Sequence, residues 1–237
     1  MRETIACGLA QLPLSSRVPE GAPDLLARYG QLLLEKNQVM NLTAIREPEQ
    51  VARLHMLDCA ALLGCADFEN KTLIDVGTGG GFPGLPLKIL VPSLTVTLLD
   101  SLNKRVDWLN EVSLQLDLTG IRAIHARAEE QAQESGFREA FDFATARAVA
   151  DLRLLAELCL PYVKIGGLFL AMKSVESRPE LEGATQAIEL LGGRARECFD
   201  YTIPDTAVVH RVILIEKVAP TPKSYPRRWA KIQKEPL

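Results

Sequence analysis

The stretch Leu73-Ile-Asp-Val-Gly-Thr-Gly-Gly-Gly-Phe-Pro-Gly-Leu-Pro-Leu87 places five glycines within eight residues, between an apolar run and a helix-like segment. Glycine-rich backbone is costly to order, which raises the question whether the loop holds a pyrophosphate, another nucleotide-like ligand or no ligand. A strand–loop–helix arrangement presents backbone N–H groups and a helix N-terminus to an anionic or polar group. Gly79 to Gly84 also satisfies the dinucleotide pattern GxGxxG, but by itself that pattern is a weak signal.

The acid that precedes the glycines favours a different ligand. Asp75-x-Gly77-x-Gly79-x-Gly81 resembles the first motif of S-adenosylmethionine-dependent methyltransferases. A carboxylate beside the loop suits the cationic sulfonium of that methyl donor and would oppose a diphosphate. We therefore predict that Asp75, Gly77 and Gly79 belong to a methyl-donor site.

Two further acidic positions follow later strands. Asp100 closes the second predicted strand and could accept hydrogen bonds from ribose hydroxyls of S-adenosylmethionine or NAD, or cap the helix that begins near Leu102. Ala128 and Glu129 follow the third strand, where a methyltransferase holds adenine; a solvated acidic turn is the alternative.

The pattern along the chain predicts an α/β fold. From Thr72, short apolar runs alternate with amphipathic segments, which is typical of a parallel sheet with crossover helices. We predict a Rossmann-like, mostly parallel seven-stranded sheet that ends in an antiparallel hairpin, as in class I S-adenosylmethionine-dependent methyltransferases. The expected strands are 72–77, 95–100, 121–126, 141–146, 168–173, 194–203 and 210–218, with helices starting near Pro83, Leu102, Asp151 and Arg178.

The first seventy residues are expected to form an N-terminal helical extension. One predicted helix follows Pro23 and a second begins near Pro48. His55 and Asp58 lie three residues apart on the apolar stripe of the second helix. We expect them to form a half-buried hydrogen-bonded pair, the alternative being that they contact a ligand. The predicted division is 1–70 for the extension, 71–219 for the methyltransferase domain and 220–237 for a basic C-terminal tail.

Composition narrows the location and the partners. The five cysteines form no CxxC pair, and no apolar run approaches the roughly 20 residues of a membrane span, so we expect a cytoplasmic protein with no membrane partner and no metal. The formal charge is −3, yet residues 223–234 of the tail carry five basic residues and no acidic one. We expect this run to contact RNA phosphates, the alternative being a solvated tail. Its predicted RNA contacts are Lys223, Arg227, Arg228 and Lys231.

The residues after the fourth strand indicate the target chemistry. An exocyclic-amine methyltransferase usually carries Asn-Pro-Pro-aromatic there, and a pyrimidine-carbon enzyme needs a cysteine nucleophile. Thr145-Ala-Arg-Ala-Val-Ala-Asp151 contains neither. An in-plane lone pair such as guanine N7 needs no general base, so Arg147 is the candidate for positioning guanine or donor. Lys173, at the end of the fifth predicted strand, is a weaker candidate for such a contact at the same edge of the sheet.

These motifs together resemble the small-subunit ribosomal RNA guanine-N7 methyltransferase G family, also called the glucose-inhibited division protein B family. The matching segments are 40–45 (MNLTAI), 55–58 (HMLD), 75–84 (DVGTGGGFPG), 99–105 (LDSLNKR) and 146–148 (ARA).

The resemblance implies methylation of N7 of a guanine in the 530 loop of 16S rRNA, in the small ribosomal subunit or its precursor. It implies S-adenosyl-L-methionine as cofactor and S-adenosyl-L-homocysteine as product. It also implies that the donor is bound by Gly77, Phe82, Ala128, Glu129 and Arg147, with Asp100 at its ribose, and that Lys104 and Arg105 face the RNA. No protein partner is predicted. Two rival hypotheses are an NAD-dependent oxidoreductase and a non-catalytic RNA-binding protein with a vestigial nucleotide fold.

Overall fold

A computed structural model describes residues 1–12, 18–147 and 150–237. Ala148, the last residue of the 146–148 motif, lies outside the described residues. The α-helices are α1 (Arg2–Ala10), α2 (Ala22–Met40), α3 (Pro48–Val51), α4 (Asp58–Ala60), α5 (Gly84–Leu90), α6 (Asn103–Gln115), α7 (Ala128–Gln131), α8 (Leu152–Cys159), α9 (Arg178–Leu190) and α10 (Trp229–Lys234). The strands are β1 (Thr72–Val76), β2 (Thr95–Asp100), β3 (Ile121–His125), β4 (Phe141–Arg147), β5 (Val163–Ser174), β6 (Gly193–Ala195), β7 (Phe199–Thr202) and β8 (Val209–Lys217).

All the strands form one sheet in the order β3-β2-β1-β4-β5-β8-β6, with β7 also paired to β8. Strands β1 to β5 are parallel, whereas β8 is antiparallel to β5, β6 and β7. The predicted mostly parallel Rossmann-like sheet with an antiparallel end is confirmed. The chain reverses its direction of winding between β1 and β4, and ligands of such sheets bind at the carboxyl ends of the strands beside this point.

The strand count differs from the predicted seven because the run 194–203 is divided into β6 and β7. Ala195 pairs with Ile215 and Phe199 with Val212, so four steps along the run match three steps along β8. One surplus residue interrupts the ladder, as in a β-bulge. Hydrophobic pattern alone does not reveal this interruption.

The two faces of the sheet bury separate clusters of apolar side chains, as the alternation along each strand requires. Leu73 of β1 faces a cluster that includes α1, α2, α5 and α6, whereas Ile74 faces a cluster formed with α8, α9 and α10. The N-terminal helices therefore pack directly on the sheet's first face, the face to which Asp75 and Arg147 also point. No helix within the described ranges is long and apolar enough to cross a membrane.

The segment between α3 and α4 is π-helical. Ala52–Leu57 forms this wider turn, which contains His55 and directly precedes Asp58. Single π-helical turns within helices occur frequently at functional sites. The sequence predicted one helix here, and its widened turn is visible only in the structure.

Candidate functional site

The glycine-rich loop connects β1 to α5 at the carboxyl edge of the sheet. Gly77, Gly79 and Gly81 have φ values of 69°, 59° and 93°, which side-chain-bearing residues rarely adopt. A Cβ at Gly81 would also lie 2.8 Å from the Tyr29 hydroxyl and 2.9 Å from Leu109. The glycines therefore let the loop turn sharply and pack closely against α2 and α6.

Tyr29 of α2 holds the loop from the side of the N-terminal extension. Its buried hydroxyl donates a hydrogen bond to the carbonyl of Gly80. Its ring also lies 5.5 Å from the Phe82 ring. The extension thus supports the loop directly, a contact that the sequence did not indicate.

Asp75 lies beneath the loop and is completely buried. Its Oδ2 accepts hydrogen bonds from Thr78 Oγ1 at 2.6 Å and from the Gly84 amide at 3.0 Å, and its Oδ1 accepts from Thr145 Oγ1 at 3.3 Å. Burial raises the pKa of this carboxyl to about 6, although these donors oppose the shift. Asp75 therefore braces the loop from below, and its contact with a cationic ligand stays a prediction.

Asp100, at the end of β2, connects this strand to the loop. Its Oδ2 accepts from the Gly79 amide at 2.9 Å and from Arg105 at 3.4 Å, while Oδ1 accepts from the Leu102 amide at 2.9 Å. The N-cap residue of α6 is Leu102, so Asp100 is not the cap itself. A carboxylate offers about four acceptor positions, which leaves room for a further donor.

Ala128 and Glu129 begin α7 at the same edge of the sheet, one strand beyond Asp100. His125 ends β3 opposite Asp100, and Ala128 follows three residues later. The Ala128 carbonyl accepts a hydrogen bond from Tyr162 at 2.6 Å. The predicted donor-site residues therefore share one edge, and direct contacts connect Gly79 with Asp100 and Phe82 with Arg147.

Arg147 ends β4 and enters a buried polar network. Its guanidinium donates to Asp58 Oδ2 at 3.1 Å, to the Leu54 carbonyl at 3.2 Å and to His55 Nδ1 at 2.9 Å. It also lies 4.6 Å from the Phe82 ring centre, and His55 stacks on the same ring at 4.4 Å. Arg147 therefore joins the sheet, the loop and the N-terminal extension.

His55 and Asp58 are both buried and hydrogen-bonded. Burial, together with the positive charge of Arg147, lowers the pKa of His55 to about 3, so the ring is neutral and accepts from Arg147. Its other nitrogen lies 2.7 Å from Thr43 Oγ1. Asn37 in turn holds the Thr43 backbone, accepting from its amide at 2.9 Å and donating to its carbonyl at 2.8 Å.

Sequence reasoning missed two members of this network. Asp58 Oδ1 accepts from the Tyr201 hydroxyl and from His210 Nδ1, both at 2.7 Å. Although burial opposes ionisation, the His210 hydrogen bond and the Arg147 charge lower the pKa of Asp58. A histidine at the start of the last strand was the only signal for His210, and nothing in the sequence pairs it with Asp58.

A cavity of about 500 Å³ opens beside this network, at the carboxyl ends of β4 and β5 and the start of β8. The residues that line it are Ile45, Leu54, His55, Asp58, Arg147, Met172, Lys173, Ser174, Val208 and His210. It adjoins the winding reversal of the sheet, and Arg147 separates it from Phe82 of the glycine loop. A flat aromatic ring could enter this space next to a ligand on the loop.

The predicted RNA-binding residues fall into two groups. Lys104, Lys223, Arg228 and Lys231 are exposed, and Arg105 is partly exposed. Lys173, whose side chain is 11% exposed, bonds to Glu180 at 2.7 Å and to the Ala150 carbonyl at 2.5 Å.

Arg227 is the clearest departure from the predicted basic run. Its side chain is 14% exposed and forms a two-pronged ion pair with the buried Glu157 of α8, at 2.6 and 2.8 Å. Nε and Nη2 of the guanidinium are thus engaged within the protein. Arg227 therefore anchors the tail, and its predicted phosphate contact stays untested.

Comparisons with known proteins agree with this geometry. A sequence model of the family described as rRNA small subunit methyltransferase G (GidB) matches residues 23–204. The ribosomal RNA small subunit methyltransferase G of Lachnoclostridium phytofermentans is 52% identical over 210 residues, covering 88% of this chain and 87% of that protein. The protein of the same name from Alkaliphilus metalliredigens is 44% identical over 225 residues, covering 94% of each.

Solved structures show the same fold at low identity. M. jannaschii TYW2 in complex with AdoMet is 14% identical with a TM-score of 0.52, covering 69% of this chain and 76% of that chain. A branched-chain polyamine synthase mutein from Thermus thermophilus is 15% identical with a TM-score of 0.57, covering 84% and 66%. With the predicted class I fold confirmed and the sequence match extending over most of its length, the chain belongs to the rRNA small subunit methyltransferase G family.

Proposed function

We propose that the protein transfers a methyl group from S-adenosyl-L-methionine to N7 of a guanine in the 530 loop of 16S rRNA. Family membership supports the class of enzyme and of substrate. The single observation that carries the choice of site is Arg147, which stands between Phe82 of the glycine loop and the cavity. A donor on the loop and a base in the cavity would thus meet at one residue.

The residues at the carboxyl edge fit the methyl donor. Gly77 and Gly79 keep the backbone open, Asp100 retains acceptor positions for ribose hydroxyls, and Glu129 with Ala128 lies one strand further along. Phe82 supplies an apolar wall against Arg147 and His55. When bound, S-adenosyl-L-methionine supplies a methyl group on a positively charged sulfur.

The chemistry requires alignment rather than a base. Guanine N7 carries an in-plane lone pair and loses no proton before it attacks, so direct displacement needs only a short, collinear approach. Arg147 and His55 are held by several hydrogen bonds, which keeps this wall of the cavity rigid. The protein's contribution is to hold both partners in that geometry, without a covalent intermediate.

The exposed lysines and arginines would hold the RNA. Lys104, Arg105, Lys223, Arg228 and Lys231 are available for phosphates of the small subunit or its precursor. Because ribosomal subunits are assembled in the bacterial cytoplasm, we place the reaction there.

The test is methylation of small subunits isolated from a strain that lacks this enzyme. Incubation with labelled S-adenosylmethionine is expected to label one guanine at N7, mapped by cleavage of the rRNA at that nucleotide. Failure to label naked 16S rRNA, precursor particles and mature subunits alike would refute the proposal. Calorimetry distinguishes the rival hypotheses. Tight NAD binding without S-adenosylhomocysteine binding would favour the oxidoreductase. RNA binding without binding of either cofactor would favour the non-catalytic protein.

A further inference from the structure

Most polar groups around the cavity are already engaged within the protein. Arg147 donates to Asp58, His55 and a carbonyl, and both ring nitrogens of His55 have partners. Lys173 is held by Glu180 and a carbonyl. A base that entered the cavity would find few free polar atoms among the residues that the structure describes.

His210 differs from these residues. Its Nδ1 is held by Asp58 at 2.7 Å, and the Tyr201 ring meets the imidazole edge-on at 6.2 Å. Within the described ranges, no protein atom contacts Nε2 at hydrogen-bond distance. The side chain is 33% exposed and lines the cavity, where its strand partner is Ser174. His210 is therefore an oriented, cavity-lining ring whose Nε2 has no hydrogen-bond partner within the described ranges.

A free donor at this place can distinguish guanine from adenine. Both purines carry an N7 acceptor, but position 6 is a carbonyl acceptor in guanine and an amino donor in adenine. A fixed N–H beside position 6 satisfies the carbonyl and opposes the amino group. Resting on the proposed function, we infer that Nε2 of His210 donates to O6 of the target guanine and determines base specificity, with Asp58 as its positioning residue.

The surroundings of the ring favour the donor form. The groups that act on His210 are Asp58 from α4, Arg147 from β4 and the Tyr201 hydroxyl, which shares the Asp58 oxygen. The hydrogen bond to Asp58 raises the pKa of His210 above its ordinary value, although burial and Arg147 oppose this. As pH rises through that pKa, Nε2 loses its proton and would face the carbonyl as a second acceptor.

The experiment compares His210→Gln and His210→Ala with the wild type on small subunits from the strain that lacks the enzyme. The subunits are prepared in two forms, which carry either guanine or adenine at the target position. Loss of a hydrogen bond to a charged donor is expected to lower kcat/KM for guanine roughly 10- to 100-fold in His210→Ala. The preference for guanine over adenine should fall together with kcat/KM. His210→Gln, whose side-chain amide can still donate, should retain part of the activity and part of the preference.

Two further readouts separate this role from a structural one. Wild-type activity on guanine should fall as pH rises through the pKa of His210, whereas the His210→Gln profile should lose that limb. The affinity of each variant for S-adenosylhomocysteine, measured by calorimetry, should stay within about twofold of the wild type, since the ring faces the cavity. Val209→Ala is the matched control, because Val209 is exposed and points to the opposite face of β8.

The inference would be overturned if His210→Ala kept the kcat/KM, the base preference and the pH profile of the wild type. A loss of S-adenosylhomocysteine affinity that accounts for all lost activity in both variants would also overturn it. The proposed function fails separately, when the wild-type protein methylates no guanine in any particle.

Discussion

The Arg147 guanidinium and the Asp58 carboxylate lie 3.1 Å apart, although 89 residues separate them in the sequence. This ion pair joins the carboxyl end of β4 to the N-terminal extension; the Asp58 side chain is 3% exposed and that of Arg147 is 15% exposed. Removing one partner of a buried pair leaves an uncompensated charge, which is more costly than the pair is favourable. The pair therefore fixes the wall between the glycine loop and the cavity.

Arg147→Lys is expected to reduce both activity and stability. Lysine retains the charge but cannot donate in a planar fork to Asp58, Leu54 and His55 together. We expect kcat/KM to fall at least about tenfold and the free energy of unfolding by about 1–3 kcal/mol. Methyl transfer and urea unfolding measure the two effects. Arg194→Lys, in an exposed pair with Glu216, should change neither, and an unaltered Arg147→Lys enzyme would contradict the assignment.

Asp75→Ala is expected to destabilise the protein rather than simply weaken donor binding. The substitution leaves the buried Gly84 amide and the Thr78 hydroxyl without their acceptor, at a cost of about 1–3 kcal/mol. Denaturant unfolding measures this loss, and Asp75→Asn, which keeps one oxygen acceptor, should lose less. An Asp75→Ala protein of wild-type stability would show that the loop does not depend on this carboxylate.

Lys217 gives the protein a specific dependence of stability on pH. This fully buried lysine donates to the Leu160 carbonyl at 2.8 Å and pairs with Glu139 at 3.2 Å, yet burial lowers its pKa to about 8. Between pH 8 and the ordinary lysine pKa, the unfolded chain holds a proton that the folded chain has released. The free energy of unfolding should therefore rise with pH in this interval, by up to about 3 kcal/mol from this residue.

Unfolding of Lys217→Met between pH 7.5 and 10 tests this expectation. The variant should lack the rise, whereas Lys164→Met, which removes an exposed lysine paired with Asp142, should keep it. Parallel stability curves for the wild type and Lys217→Met would refute the role given to Lys217.

Different residues of the C-terminal tail are expected to bind RNA and to anchor the tail to the protein. Replacing the exposed Lys223, Arg228 and Lys231 with alanine should weaken rRNA binding and reduce the slope of log K against log salt by about 0.7–0.9 per lost phosphate contact. Their effect on stability should be small, since they lie on the surface.

Arg227→Ala provides the contrast, because it removes the guanidinium from the buried Glu157 and leaves only the backbone amide of residue 227 as donor. We expect it to lower the free energy of unfolding by about 3–5 kcal/mol. Filter binding over a range of salt concentrations and denaturant unfolding separate the two effects. An unchanged salt slope in the triple variant would leave the tail without a role in RNA binding.

The local pattern of the sequence was sufficient for the sheet and for the position of the loop. Each of the five strands predicted between Thr72 and Lys173 is a strand in the structure, because strands in the interior of a parallel sheet are buried on both faces and therefore carry short apolar runs. Only the start of β5 differs clearly from the prediction. The strand begins at Val163 rather than at residue 168, and it includes Gly166 and Gly167, although glycine is unfavourable within strands. The break between β6 and β7 depends on register with β8, a relationship that no local pattern contains.

The sequence by itself determined the fold class, the family and the edge of the sheet where the site lies, because periodicity and motif spacing are local properties of the chain. Tertiary structure decided which of the predicted residues are engaged in contacts within the protein. It turned Asp75 inward beneath the glycines and paired Arg227 with Glu157. It also brought Asp58, Arg147 and the paired residues Tyr201 and His210 together from three distant segments. Hydrogen-bond partners and burial are set by the packing of distant elements, so these roles became visible only in the folded chain.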